Sequence, residues 1–173
     1  MTTSTSRLLA AAAGLALAVG TAVAGIPAAR AAGTPLCTNA DLTASYRGGE
    51  GAAGTVYGRI VLRNTSGHAC HTGGYGGLSY VGDGNGTQIG APARRIAASE
   101  VATYVLQPGQ RLRSRIGETE ALNYPKRRCH PAHVDGFRVY VPNATKSQYV
   151  VHPRTGCRNP HIRLISQKPY RRP

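Results

Sequence analysis

Acidic residues are scarce in this sequence, and tryptophan is absent. The 173 residues include only seven Asp and Glu against 21 Lys and Arg. Glycoside hydrolysis needs two carboxylates that flank the scissile bond, yet the few acids here are scattered, apart from Glu118 and Glu120, which are expected to be neighbours in a loop. The sequence gives no support to an enzyme of this kind, and we expect a protein with no catalytic residues, metal or cofactor.

Long apolar runs are also lacking after the first thirty or so residues. Arg7 precedes an apolar run from Leu8 to Val19, and the small-x-small sequence Ala29-Arg30-Ala31 follows it. This order is typical of a Sec-type signal peptide, and the run is too short and too rich in alanine for a membrane span. We therefore expect residues 1–31 to be a leader cleaved near Ala31, and the protein to be secreted without a membrane span.

Four cysteines follow the predicted leader, in a remainder of about 140 residues that is long enough for one domain. In an oxidising compartment an even number of cysteines indicates disulfides. Three pairings are open. We favour Cys37 with Cys70 and Cys129 with Cys157, because each closes a local loop of about thirty residues, which is worth roughly 3 to 4 kcal/mol.

Positive charge is the strongest signal of the composition. Loss of the leader would remove Arg7 and Arg30 and leave 19 cations against seven acids, a net charge of +12. From Arg111 onward there are 14 cations and three acids. Outside a cell, such a surface can meet wall polymers, lipid headgroups, nucleic acid or acidic proteins, or it can simply keep the protein soluble.

Short alternating segments recur about every ten residues between turn signals, as is typical of a β-sandwich or barrel. In the segment Thr55–Asn64, Ile60 and Leu62 share one face of a strand while Arg59 and Arg63 take the other. We expect an all-β domain over residues 32–165.

Two segments do not fit the strand pattern. Residues 118–133 show no alternation, and we expect a long loop with at most one helical turn. Residues 166–173, "SQKPYRRP", contain two prolines and three cations, and we expect a disordered basic tail.

Glycine is concentrated between His71 and Gly90, with eight in twenty residues. A phosphate-binding loop would need G-x-G-x-x-G or G-K-[ST] spacing and a following helix, and neither is present. The segment Gly82 to Gly86, "GDGNG", instead predicts a hairpin turn. A calcium loop is not expected either, because Arg94 stands where a glutamate is required.

Histidines lie close to Cys70 and Cys129 in the sequence. They could converge on a zinc or copper ion if those two cysteines were bridged to each other. The alternative, which we favour, is that they are exposed loop residues beside disulfides. The residues concerned are His68, His71, His130 and His133.

The order of several short motifs resembles the secreted bacterial family called domain of unknown function 4232. The motifs run from Cys37 to about Ile165 and are "ADL", "NTSG", Cys70, "GGYGGLSYVGDGNGTQIGAPARR", "LQPGQ", "CHP", "VYVP" and Cys157. Gly76 departs from the proline that is usual in the family. The resemblance implies an immunoglobulin-like antiparallel β-sandwich, exported as a free protein or a lipoprotein, with no assigned activity or site residues. Leu36 stands where a lipoprotein needs a small residue, so we expect a free protein.

The segment "RLRSRIG" places Arg111, Arg113 and Arg115 on one face of a predicted strand, about 7 Å apart. Guanidinium groups at this repeat suit a linear polyanion, because each can bind a phosphate or carboxylate through two hydrogen bonds. We predict that they bind anions together with three cations of the following loop. The alternative is an ordinary solvent face or an edge protected by charge. The three loop cations are Lys126, Arg127 and Arg128.

Taken together, these features predict a secreted, non-enzymatic binding module for an anionic polymer of the cell envelope. We do not expect nucleic acid to be the ligand. The main alternative is a protein-interaction module, such as an inhibitor or an accessory subunit of a secreted complex. Salt distinguishes the two, because binding to a polyanion weakens steeply with ionic strength and a packed protein interface does not.

Overall fold

The computed structural model describes residues 33–97 and 100–173, and the predicted leader, residues 1–31, lies outside them. The described residues form almost only β-structure, with a 3-10 helix, Ala121–Asn123, and a single turn of α-helix, α1, Lys126–Cys129. No helix in this part of the chain has the length and apolarity that crossing a membrane requires. The strands are β1 Leu42–Arg47, β2 Gly51–Ala52, β3 Thr55–Asn64, β4 Cys70–Gly73, β5 Gly77–Gly82, β6 Thr87–Ile89, β7 Arg94–Arg95, β8 Thr103–Leu106, β9 Arg111–Thr119, β10 Pro131–Tyr140, β11 Ser147–Cys157 and β12 Ile165–Gln167.

The strands form two main sheets. The first sheet has the order β1-β3-β9-β12-β7, with β2 added beside β3, and the second has the order β11-β10-β5-β6. Strands β4 and β8 form a separate pair. These pairings are antiparallel except that of β12 with β7. The predicted all-β fold, an antiparallel β-sandwich of immunoglobulin-like type, is confirmed.

The core contains residues from the inner faces of both sheets. In β3 and β9, Ile60 and Leu112 are fully buried, as alternation along each strand predicts. In the second sheet, the rings of Tyr80 and Phe137 stack with centroids 5.4 Å apart. Burying side chains of this size stabilises the fold by about 1.5 to 3 kcal/mol each, so the chain's single phenylalanine lies where it contributes most.

Both disulfides have the favoured pairing. Cys37 is bonded to Cys70, and Cys129 to Cys157, and no cysteine in the described part of the chain is free. The first bond ties the chain before β1 to β4, and the second ties α1 to the end of β11. Because Cys70 and Cys129 are not bonded to each other, the condition under which the flanking histidines would converge on a metal is not met.

The glycine-rich run is a β-hairpin, as predicted. Gly82 pairs with Thr87 across the turn that joins β5 to β6. Asp83, Gly84 and Gly86 in that turn all have positive φ, between 62° and 80°. Such φ values are readily adopted by Gly and tolerated by Asp and Asn.

The loop that we predicted over residues 118–133 is shorter in the structure. Strand β9 continues to Thr119, because Glu118 pairs with Val56 of β3 on one side and Ile165 of β12 on the other. Strand β10 already begins at Pro131. Between them lie the two short helices. The loop prediction failed at Glu118 because a charged residue occupies an inward-facing strand position.

The prediction of a disordered tail over residues 166–173 was wrong. Arg171 exchanges two backbone hydrogen bonds with Arg113 of β9, at 2.8 and 2.9 Å, and the ring of Tyr170 is fully buried. Pro169 lies between Lys168 and Tyr170, both of which donate their N–H groups to backbone carbonyls. The proline thus leaves the donors on either side of it available, and the buried tyrosine anchors the segment. The compact unit formed by the described residues therefore extends to Pro173.

Candidate functional site: a basic sheet face

Strand β9 presents a row of arginines to solvent. Arg111, Arg113 and Arg115 are exposed, whereas Leu112 and Ser114 between them are buried. The strict alternation places the three guanidinium groups on the outer face of the first sheet.

Neighbouring strands extend this row into a two-dimensional array. Arg59 of β3 lies directly opposite Arg115, and Arg63 lies opposite Arg111. On the other side of β3, Arg47 of β1 pairs with Arg59. Sequence reasoning placed Arg59 and Arg63 on the outer face of their strand but did not connect them to β9, because the register between distant strands is not encoded in any local pattern.

The C-terminal segment adds three cations at the side of β9 that is opposite to β3. Lys168 donates its backbone N–H to the carbonyl of Arg115, and Arg171 is bonded to Arg113. The side chains of Lys168, Arg171 and Arg172 line grooves together with residues of β9. We call the whole array the basic face: Arg47, Arg59, Arg63, Arg111, Arg113, Arg115, Lys168, Arg171 and Arg172.

The charges of the basic face are almost unpaired. Among residues 33–97 and 100–173, the one acidic group within 4.0 Å of any of them is Glu100, whose Oε2 lies 4.0 Å from Arg171. Glu50 lines a neighbouring groove with Arg59 and Arg115 but forms no ion pair with them. Like charges directly opposite each other on adjacent strands destabilise a sheet. An anion bound across these strands would remove that repulsion.

Two of the grooves on the basic face together contain all of its cations. One, of about 420 Å³, lies over β1, β3 and β9 and is lined by Arg47, Arg63 and Arg111 among others. The second, of about 560 Å³, lies between β9 and the C-terminal segment. At one end of the array, the guanidinium of Arg115 stacks on the ring of Tyr57 at 4.7 Å. Stacking of this kind restrains a guanidinium group in a defined orientation.

The structure does not bring Lys126, Arg127 and Arg128 into this array. They are exposed on α1, which is attached to the second sheet through the Cys129–Cys157 disulfide. None of the three lines either of the two grooves described above. The loop between β9 and β10 therefore carries these cations away from the row on β9, instead of folding over it.

A second, buried group of charges was missed by the sequence analysis. Glu118 is fully buried, and its Oε2 lies 2.7 Å from Nη1 of Arg154 and 3.0 Å from Nε2 of His152. Tyr80 donates to Oε2 at 2.6 Å and Tyr46 donates to Oε1 at 3.2 Å. We call these five residues the buried ion centre. The available signal was the position of Glu118 on β9, in phase with the buried Leu112, Ser114 and Ile116.

The environment of the buried ion centre keeps its carboxylate ionised. Burial alone would raise the pKa of Glu118, but the hydrogen bonds with His152 and Tyr80 and the charge of Arg154 outweigh it, so the pKa is below its ordinary value. Burial, and then the charge of Glu118, raise the pKa of Tyr46 to about 12. The same two causes raise the pKa of Tyr80 above its usual range. The centre is a buried ion pair in which both oxygens of Glu118 are bonded, whereas Nε of Arg154 has no hydrogen-bond partner among the described residues.

Other candidate positions do not assemble into sites. Ser79, in the "GLSYV" segment, is a buried residue of β5. His68 lies 3.4 Å from Asp41, and His133 lies 3.4 Å from Asp135, each as an isolated pair. The described part of the chain contains no group of three or more His, Cys, Asp or Glu that could hold a metal ion.

Comparison with known proteins identifies the family but no activity. Residues 37–164 match a family model described as a domain of unknown function, DUF4232. Since the match covers most of the chain, the protein belongs to this family, as the resemblance predicted. No curated protein and no solved structure matches the chain significantly.

Proposed function

We propose that the chain is a secreted, non-enzymatic binding module that engages an anionic polymer of the cell envelope through the basic face. The observation that carries the proposal is the register that sets Arg59 between Arg47 and Arg115, and Arg63 beside Arg111. Among the described residues, these five arginines have no acidic partner within 4.0 Å. A sheet that keeps like charges opposed gives up stability. A polyanion bound across the strands would relieve this repulsion between the arginines. Its binding would also be favoured by the release of counterions from each phosphate that is neutralised.

The proposed location rests on two features. The leader-like sequence of residues 1–31 is typical of exported proteins, and two formed disulfides suit an oxidising compartment. The partners available there include phosphate- and carboxylate-bearing wall polymers, which repeat at short intervals along a chain. Such repetition matches a flat array of cations better than it matches a single pocket.

The test compares two variants with the same loss of charge. In one, Arg111, Arg113 and Arg115 are replaced by Gln, and in the other, Lys126, Arg127 and Arg128 are replaced by Gln. The purified proteins are eluted from phosphocellulose and from isolated cell wall with a salt gradient. We expect the first variant to elute much earlier and to lose roughly 2 to 3 units from the slope of log affinity against log salt. The second variant should elute close to the parent.

Two outcomes would contradict the proposal. If both variants elute together, the array has no role beyond net charge. If the parent is not retained on cell wall at low salt, the anionic polymer is not the ligand. A secreted partner protein whose capture persists at high salt would instead support the inhibitor or accessory-subunit function.

A further inference from the structure

The groove between β9 and the C-terminal segment is lined by more cations than the groove over β1, β3 and β9. Its volume is about 560 Å³, and its lining includes Arg59, Arg113, Arg115, Lys168, Arg171 and Arg172. Among the described residues, no acidic side chain lines it, and Glu100 approaches it at Arg171, 4.0 Å away. A volume of this size falls within the range of small-molecule sites, so the groove can hold a discrete charged group as well as border a polymer.

The two walls of this groove are held at a fixed separation by the backbone. Arg113 and Arg171 exchange hydrogen bonds of 2.8 and 2.9 Å, and the N–H of Lys168 donates to the carbonyl of Arg115 at 2.9 Å. Tyr170, which lies between Lys168 and Arg171 in the sequence, is fully buried and anchors the segment to the core. Three of the cations are thus carried by strands, and the other three by a segment bonded to β9, which lowers the entropy cost of binding an anion between them.

The number and placement of the cations favour phosphate over carboxylate. A carboxylate offers two oxygens in one plane and carries a single charge, and one guanidinium fork can bind both of its oxygens. A phosphomonoester offers three acceptor oxygens in a tetrahedral arrangement and carries nearly two charges at neutral pH. Groups that reach the groove from β3, from β9 and from the C-terminal segment can bond such an anion from three directions at once.

We infer that this groove is a subsite for a phosphate-rich group, either a phosphomonoester or a short polyphosphate, and that it recognises the phosphate of the ligand bound by the basic face. The inference rests on the proposed function, since it assigns the chemical class of that same ligand. The part of the basic face outside the groove then adds long-range attraction without selecting the anion.

The experiment measures pyrophosphate and citrate binding by calorimetry at pH 7.5 and low salt, without divalent cations. A groove variant, Arg113→Gln with Lys168→Gln, is compared with a control variant, Arg47→Gln with Arg63→Gln, which loses the same charge outside the groove. We expect the parent to bind pyrophosphate at least tenfold more tightly than citrate. The groove variant should lose at least tenfold in pyrophosphate affinity, and the control variant less than threefold. All four substituted residues are exposed, and thermal unfolding of each variant checks that the fold is kept.

The possible failures are distinguishable. Equal affinity for pyrophosphate and citrate, equal losses in the two variants, or no pyrophosphate binding by the parent would each overturn the subsite, while retention on cell wall would leave the proposed function standing. Conversely, selective pyrophosphate binding by a protein that is not retained on cell wall would support the subsite and overturn the polymer as its ligand.

Discussion

Arginine occurs in two opposite settings in this molecule. In the buried ion centre, Arg154 lies 2.7 Å from the carboxylate of Glu118 and 3.1 Å from that of Glu120. On the basic face, Arg113 and Arg111 have no acidic partner within 4.0 Å among the described residues. The chain has only seven acids, and two of them are used on one arginine inside the fold.

The comparison separates charges that hold the structure from charges that are available to a ligand. A buried ion pair gives little net stability when it forms, but breaking it is costly because a charge is left in the protein interior. An exposed, unpaired guanidinium is solvated, and its removal leaves no buried charge behind. The first setting should therefore respond to substitution through folding, and the second through binding.

Removal of the buried carboxylate should have the largest effect. Replacing Glu118 with Ala leaves Arg154 without its buried partner and should lower the free energy of unfolding by about 3 to 5 kcal/mol, measured by urea denaturation. Glu120→Ala is the matched control. The side chain of Glu120 is 41% exposed, so its loss should cost less than about 1 kcal/mol. Equal losses in the two variants would show that burial does not decide the cost.

The same centre should make stability depend on acid pH. The pKa of Glu118 is lowered in the folded protein from its ordinary value of 4.5. Its contribution is therefore complete above that value and is lost as pH falls through the lower, folded pKa. We expect the thermal unfolding midpoint to decrease once the pH drops below about 4.5, and this decrease to be smaller in Glu118→Gln. Some acid sensitivity should remain, because the pKa of Asp41 is also lowered, mainly by a side-chain hydrogen bond from Thr38.

The measurement is the thermal unfolding midpoint of the parent and of Glu118→Gln at several pH values between about 3 and 7. A variant that keeps the full acid sensitivity of the parent would assign it to other carboxylates, such as Asp83, whose pKa is lowered by its hydrogen bonds with Arg158.

The smallest effect is expected on the basic face and has the opposite sign. Arg63→Gln removes the like charge opposite Arg111 and should raise the free energy of unfolding by about 0.3 kcal/mol at low salt. The gain should vanish at high salt, where exposed charges are screened. Lys126→Gln, on α1, should change nothing. A loss of stability in Arg63→Gln would mean that its aliphatic stem packs on the sheet and matters more than its charge.

The sequence was sufficient for features that depend on local pattern. Alternation predicted the buried and exposed faces of β3 and β9, the Asp-Gly and Asn-Gly pairs predicted the hairpin after β5, and loop length favoured the disulfide pairing that forms. These features depend on residues close together in the chain.

The features that were missed depend on pairing between distant strands. The contact of Arg59 with Arg115 follows from a register spanning more than fifty residues, and the partners of Glu118 come from β1, β5 and β11. No local composition rule encodes either one. The C-terminal segment was misjudged for a related reason: its prolines and cations are typical of a disordered tail, but Tyr170 finds a buried site that is built by other strands.

The interior position of β12 constrains the order in which the protein can assemble. This strand comes from Ile165–Gln167, yet it lies between β9 and β7 in the first sheet. Until those residues are available, the edge of β9 has no partner, and unpaired edges are prone to pair with other chains. Arg111, Arg113 and Arg115 lie along that edge, so we expect charge repulsion to oppose its pairing with the same strand of another copy. The arginines of the basic face can thus act as gatekeepers while the protein folds.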